Sequence, residues 1–305
     1  MSQLTLQAPA KINLTLDILG TRPDGYHELE MVMQSVSLCD RITLELGFPG
    51  GVRAESGLRF LPNDKGNLAV SAALAFRQAT GQQWKDLLIS LEKAIPVCAG
   101  TAGGSSDAAA VLRGLNLLTN AGLTPEELAR VGEAVGSDVP YCVLGTTALA
   151  KGRGGNLTPL PPLPPCWILL CKPPFAISTP ALFREWDKAK RHLRPDTKGV
   201  LAALEQGDLL GVARRMFNVF ESVLPLHQRR QIEGIKNTMI QAGALGAAMS
   251  GSGPTVFGLF ARQDLARQAR TLLQASQEEV FLTQPLSAPP PPVAISAVET
   301  SSNPV

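Results

Sequence analysis

No Cys-x-x-Cys pair occurs in this 305-residue chain, which has five cysteines (Cys39, Cys98, Cys142, Cys166 and Cys171) and three histidines. An odd number of scattered thiols with so little histidine argues against a zinc site or a disulfide scaffold, and predicts reduced cysteines in a cytoplasmic protein. The chain also lacks any apolar run near the roughly 18 residues that would span a bilayer. Its start, "MSQLTLQAPA", has neither the basic opening nor the apolar centre of a signal peptide. No basic stripe is present and the net charge is only +2, so nucleic acid is not an expected partner. What remains is an ordinary globular composition, 45% apolar and 18% charged, long enough for two domains with real cores.

Two phosphate-binding motifs are absent as well. A P-loop needs a lysine inside its glycine loop, and the dinucleotide fingerprint needs G-x-G-x-x-G. The stretch "IPVCAGTAGGSSDAAAVL" (95–112) has neither. It does place six glycine, serine and threonine residues between Gly100 and Ser106, directly before a helix. Bare N–H groups at a helix N-terminus suit phosphate oxygens, and glycines let backbone approach closely. Two readings stand at this point. Either Ser105 and Ser106 offer hydroxyls to a phosphate or magnesium ion, or the segment is a plain turn whose Ser106 caps a helix. If a nucleotide binds here, its counter-charge must come from elsewhere in the chain.

Alternation makes the first segment a strand, with Leu4, Leu6, Ala8, Ala10, Ile12, Leu14, Leu16 and Ile18 on one face and Lys11, Asn13, Thr15 and Asp17 on the other. Pro9 marks a break or an edge, and "RPDGY" a turn. Strands are expected at 28–38 and 42–46, and a helix after Asn67 stopped by Gly81. A strand at "LLISLEK" then leads to the glycine loop. The helix after that loop is expected to end at Gly122. "LTPEELARVGEAVG" carries a capping box, with Thr124 as N-cap and Glu127 closing it. Asp138 in "GSDVPYCV" reads as an N-cap or as a functional acid. Lys11 reads as a solvated sheet lysine or a functional one. "MSGSGPTVF" (249–257) reads as a tight hairpin, or as a second glycine-rich edge beside the first.

The proline-dense stretch "LTPLPPLPPC" predicts a domain boundary near residue 163. The division is then an N-terminal domain over 1–163, a C-terminal α+β domain over 164–286, and a disordered tail, "SAPPPPVAISAVETSSNPV", over 287–305.

The pieces "PAKINLTLDILGTRPDGYHEL", "IPVCAGTAGGSSDAAAVL", "GSDVPYCVLG" and "MSGSGPTVFGLF" together resemble the GHMP small-molecule kinases. Within them the likeness is to those acting on a cytidine-diphosphate-linked methylerythritol, over residues 4 to 285. The resemblance implies an α+β fold of two domains, the first like domain 2 of ribosomal protein S5 and the second ferredoxin-like, with the active site between them. It implies ATP and Mg²⁺ as cofactors, a small-molecule substrate, CDP-methylerythritol, and a monomer or weak dimer.

Carried over by position, Pro96, Val97, Cys98, Ala99, Gly100, Thr101, Ala102, Gly103, Gly104, Ser105 and Ser106 cradle the ATP phosphates. Asn67, Leu68, Lys93 and Asp107 lie around the adenosine. Tyr26, His27 and Phe183 hold the cytosine, while Asn13 and Thr179 face the rest of the substrate. Gly251, Ser252 and Gly253 close the far side of the phosphate site. Asp138 is the catalytic base and Lys11 its partner; no metal ligands are assigned. The chain departs from the family at Cys98 and Thr101, where glycine and leucine are usual, and at Val219, where aspartate is usual. Cys98 predicts a less permissive first turn and altered ATP affinity. Homoserine and mevalonate kinases are the nearest rivals, and the pair Tyr26–His27 argues against them because neither has a cytosine to hold. A non-catalytic nucleotide-binding protein would have no need of the Asp138–Lys11 pair.

Overall fold

The computed structural model describes residues 2–189, 193–277 and 279–297. The chain opens with two 20-residue strands, β1 (Ser2–Thr21) and β2 (His27–Leu46), paired antiparallel. The sequence predicted two strands where β2 runs unbroken. Strands this long stay regular only if they bend. β1 does so at three shifts of register, between Pro9 and Lys11, Asn13 and Thr15, and Ile18 and Gly20.

A bulge moves the following side chains to the other face of a sheet. Leu4, Leu6, Ala8, Leu16 and Ile18 therefore belong to one apolar core, and Ala10, Ile12 and Leu14 to another. The single apolar face predicted from Leu4 to Ile18 is split in two. Its polar counterpart is not solvated, because Lys11, Asn13, Thr15 and Asp17 are all buried.

β3 (Val52–Ser56) precedes α1 (Leu68–Thr80), which is capped by the Asn67 side chain and closed by Gly81. β4 (Leu87–Glu92) pairs with the C-terminal half of β2 and leads into the glycine loop. α2 (Gly103–Leu118) follows at once, ending one turn before Gly122. α3 (Pro125–Glu133) starts with the expected capping box of Thr124 and Glu127. α4 (Val139–Leu144) and the strands β5 (Thr147–Gly152) and β6 (Asn156–Pro159) complete this half. β5 pairs with the N-terminal half of β2, so the bent β2 serves two neighbours along its length.

After the proline-rich segment come β7 (Trp167–Lys172) and four helices: α5 (Thr179–Lys188), α6 (Thr197–Glu205), α7 (Leu209–Arg215) and, beyond the short β8 (Phe217–Asn218), α8 (Leu226–Gln241). The hairpin β9 (Gly246–Met249) and β10 (Val256–Phe260), then α9 (Gln263–Gln274) and β11 (Glu279–Thr283), close the second half. Its four strands lie in the order β11-β7-β10-β9, all neighbours antiparallel. Counted within this half that order is 4-1-3-2, the ferredoxin-like arrangement.

Two later segments cross back to the first sheet. β8 runs parallel beside Thr15 and Leu16 of β1, and β12 (Ala294–Ala297) pairs antiparallel with Ser2–Thr5. β12 lies in the tail expected to be disordered. The outer edge of β1 presents unpaired backbone groups that an extended segment satisfies, and the Val293 N–H already donates to the Thr5 carbonyl. Residues 298–305 fall outside the described ones. Among the described residues no helix is long and apolar enough to cross a membrane.

Candidate active site

A cleft of about 930 Å³ lies between the two halves. Its phosphate end is built by the loop between β4 and α2. Cys98 (φ 53°), Gly100 (φ 79°) and Ala102 (φ 56°) take left-handed conformations there, so successive turns bring the backbone round to the helix start. The N-cap of α2 is Ala102, and no side chain caps the helix. The N–H groups of Gly103, Gly104 and Ser105 are left bare at the positive end of a 16-residue helix. This departs from both readings of Ser106. It sits inside the first turn rather than at the cap, fully buried, away from the cleft wall, its Oγ without a partner. Thr101 is equally buried; its carbonyl accepts from the Lys11 N–H at 3.1 Å, while its Oγ1 has no partner.

The hairpin loop after β9 packs directly on this loop. A Cβ on Gly100 would lie 2.1 Å from the Ser250 carbonyl oxygen, and one on Gly251 would lie 2.8 Å from the Gly100 carbonyl oxygen. Only glycine permits that approach at either position. The Ser250 hydroxyl donates to the Gly100 carbonyl at 3.0 Å and accepts from the Asn13 N–H at 3.3 Å. Thus β1, the phosphate loop and the hairpin meet at one point. Gly251 and Ser252 line the cleft; Gly253 is turned away against Met249 and Ile177.

Lys11 is brought to this junction by the bulge that follows Pro9. Its ammonium, 4% exposed, donates to Asn13 Oδ1 at 2.8 Å and lies 3.5 Å from Asp138 Oδ2. Asp138 holds the N-cap position of α4, but its side chain makes no capping hydrogen bond. The carboxylate is instead 31% exposed and faces the cleft and the lysine. An open carboxylate beside an ammonium, next to a bare helix N-terminus, can take a proton from a hydroxyl while the cation offsets phosphate charge.

Lys93 is not free to act as a simple nucleotide contact. Its ammonium joins two buried carboxylates, Asp40 and, at 2.5 Å, Asp107. Burial lowers the pKa of Lys93, and the two acids more than reverse this, leaving it above its ordinary value. Asp40 also accepts the N–H groups of Ala94 at 2.6 Å and Ile95 at 2.8 Å, so it holds the root of the phosphate loop. The excess negative charge falls on Asp107. Burial pushes its pKa up to about 7, against the pull of Lys93 and with a further push from Asp40. Asp107 Oδ1 has no hydrogen-bond partner among the described residues. Asn67, placed at the adenosine by position, spends its side chain capping α1 and bonding the Pro62 carbonyl, although it and Leu68 line the cleft.

At the far end, Tyr26, His27, Phe183 and Thr179 line the same cleft. Two of the rings expected to hold a base stack on one another, and the third, still half exposed, carries a guanidinium over its face. His27 stacks on Phe183 with centroids 4.4 Å apart, and the Arg153 guanidinium lies 3.7 Å over the Tyr26 ring. His27 Nε2 is 2.8 Å from Asp187 Oδ1, and the Thr179 and Ser252 hydroxyls are 2.7 Å apart.

Sequence reasoning does not single out Asp40, Arg153, Asp187 or Ser250. Asp40 left one signal, an acid interrupting the strand run "VSLCDRITLEL". The others acquire meaning only through neighbours far away in the chain. Of the family departures, Val219 is fully buried in the apolar core, and Cys98 is an exposed thiol at the loop's first left-handed turn.

Residues 67–146 match the GHMP kinases N terminal domain and residues 200–277 the GHMP kinases C terminal domain. The 4-diphosphocytidyl-2-C-methyl-D-erythritol kinase of Brevibacillus brevis is 45% identical over 287 residues, covering 94% of this chain and 97% of that protein. The chain belongs to the GHMP kinases, in the 4-diphosphocytidyl-2-C-methyl-D-erythritol kinase family. The Listeria monocytogenes member is 43% identical over 286 residues, covering 93% of this kinase and 97% of that protein. A solved 4-(cytidine 5'-diphospho)-2C-methyl-D-erythritol kinase, 33% identical, superimposes with a TM-score of 0.77 over 92% of this kinase and 99% of that chain. A homoserine kinase from Cytophaga hutchinsonii, covering 96% of this kinase and 97% of that chain, has a TM-score of 0.73 at 19% identity, a likeness of fold alone.

Proposed function

We propose that this kinase transfers the γ-phosphoryl group of ATP to the 2-hydroxyl of 4-diphosphocytidyl-2-C-methyl-D-erythritol. The observation that carries the reading is the Lys11–Asp138 pair, 3.5 Å apart at the junction of β1, the phosphate loop and the β9–β10 hairpin. Bound ATP with Mg²⁺ supplies the phosphoryl group and part of the charge that stabilises its transfer.

The residues present fit that nucleotide. The uncapped start of α2 offers N–H groups to phosphate oxygens, and the orphaned Asp107 Oδ1 offers an acceptor to a hydroxyl or amine of the adenosine. Among the described residues no cluster of three or more metal-ligating side chains exists. That suits a Mg²⁺ carried mainly by phosphates and water, with Asp138 as the open carboxylate nearby.

Asp138 would accept the proton of the attacking hydroxyl as the new oxygen–phosphorus bond forms and the bond from the γ-phosphorus to the β-phosphate oxygen breaks, ADP leaving with that oxygen's electron pair. Asn13 holds the Lys11 ammonium in place beside the Asp138 carboxylate, and Lys11 faces the charge of the moving group. Gly251 and Ser252 close the phosphate end, while Tyr26, His27, Phe183 and Thr179 receive the cytidine end. A coupled ADP-release assay offering the cytidine substrate beside homoserine and mevalonate tests this. Turnover should occur with the cytidine compound alone; preference for either other alcohol would overturn the assignment.

A further inference from the structure

We propose that Arg153 binds the diphosphate of the nucleotide substrate and makes a charged diphosphate, beyond the base, a condition of tight binding. This rests on the cytidine-diphosphate reading of the cleft. The cleft's two lysines are already committed: Lys11 to Asp138 and Asn13, and Lys93 to Asp40 and Asp107. Neither has charge to spare for a second anion at the cytidine end. Arg153 does.

Among the described residues it has no ion pair and no hydrogen bond, and its guanidinium lies over the ring of Tyr26. Asp24, which feels the field of Arg153, is already held by Arg22 and by the Tyr26 N–H. A guanidinium lying over a ring gives that ring its face and leaves its edge N–H donors, a fork matched to phosphate oxygens, unspent.

Placement supports the same role. Arg153 sits in the turn between β5 and β6, and that turn packs on the catalytic segment. A Cβ on the next residue, Gly154, would lie 3.3 Å from the carbonyl oxygen of Ser137, the neighbour of Asp138. Arg153 thus reaches the base end, where its guanidinium meets Tyr26, from a turn that packs beside Asp138 at the hydroxyl end. In a substrate whose base and reacting alcohol are joined through a diphosphate, the two phosphates must pass between those ends. Arg184, on α5 beside Phe183, lines the same stretch and likewise has no acidic partner among the described residues.

The test uses the full-length protein with its phosphate loop saturated by a non-hydrolysable ATP analogue. Calorimetry then measures cytidine, CMP and CDP binding to wild type, Arg153→Ala and Arg153→Lys. Wild type should bind CDP more tightly than cytidine. Arg153→Ala should weaken CDP on the order of 10–100-fold, the scale of charge-assisted hydrogen bonds, and leave cytidine within about threefold. Arg153→Lys should restore part of the loss, as a point charge without the fork. Equal weakening of cytidine and CDP would mean that Arg153 acts only by supporting Tyr26, and would overturn the proposal. An unchanged CDP-to-cytidine ratio in an enzyme that still turns over the cytidine substrate would overturn it while leaving the kinase reading intact. A wild-type protein that binds no CDP would remove both.

Discussion

Replacing Asp40 by asparagine isolates the effect of two carboxylates sharing one ammonium. In the wild type, Asp40 and Asp107 both pair with Lys93, and burial together with the second acid places Asp107 at about 7, above its ordinary 3.8. A group whose folded pKa is raised binds its proton more tightly in the folded state. The stability it contributes is fully present below pH 3.8 and is lost as pH climbs through 7. Between pH 5 and pH 8 this one proton accounts for about two units of log K, at roughly 1.4 kcal/mol each, so wild type should lose on the order of 2–3 kcal/mol from this group.

Asp40→Asn leaves Asp107 the ammonium to itself, and its pKa should fall back toward the ordinary carboxylate range. The variant should be less stable at pH 5, because an amide serves Lys93 and the N–H groups of Ala94 and Ile95 less well. Its stability should then stay nearly flat to pH 8. Urea unfolding of both proteins at half-unit pH intervals reads the difference, with titrations elsewhere in the chain cancelling. A wild-type slope retained in Asp40→Asn, or no slope in either, would refute the shared-lysine argument.

Asp138→Asn should lower kcat on the order of 10²–10⁴-fold while the KM for ATP stays nearly unchanged, as loss of a general base requires; an unaltered kcat would remove the assigned base. Gly100→Ala should destabilise the fold by about 3 kcal/mol or more, because a left-handed residue would drive its Cβ to 2.1 Å from the Ser250 carbonyl. Thermal unfolding and the KM for ATP should both report it, since the two loops separate. Cys98→Gly should instead raise stability by about 0.5–1 kcal/mol by releasing a side chain held at φ 53°, and denaturant midpoints would show it. Tyr26→Ala should raise the KM for the cytidine substrate and leave that for ATP alone, and steady-state kinetics showing equal damage to both would undo the base assignment.

Much of this architecture was legible in the chain because local chemistry specifies it. Asn67 and Gly81 bracket α1, Thr124 and Glu127 open α3, and the run of glycine and serine before "DAAAVL" announces an exposed helix start. Such features depend on residues within four or five positions of one another. The site was legible in another way, through motif likeness, which named Lys11 and Asp138 without saying how they meet.

The folded chain alone decided the rest. A strict alternation from Leu4 to Ile18 predicts one buried face, yet the bulges after Pro9 and Asn13 turn Ala10, Ile12 and Leu14 into the second core and carry Lys11 to the cleft. A register shift answers to partners, here β2 and the hairpin loop, that no local window contains. Asp138 is at a cap position by sequence, but only the lysine 127 positions away explains why its carboxylate faces the cleft rather than its own helix. The triad of Asp40, Lys93 and Asp107 and the stacking of Arg153 on Tyr26 are likewise matters of distance in space. The sequence by itself determined the capped helix starts and the glycine loop, since backbone propensity and capping act over a few residues. Tertiary packing decided which charges are buried together and which are left without a partner, because electrostatic pairing depends on separation and burial that chain order does not set.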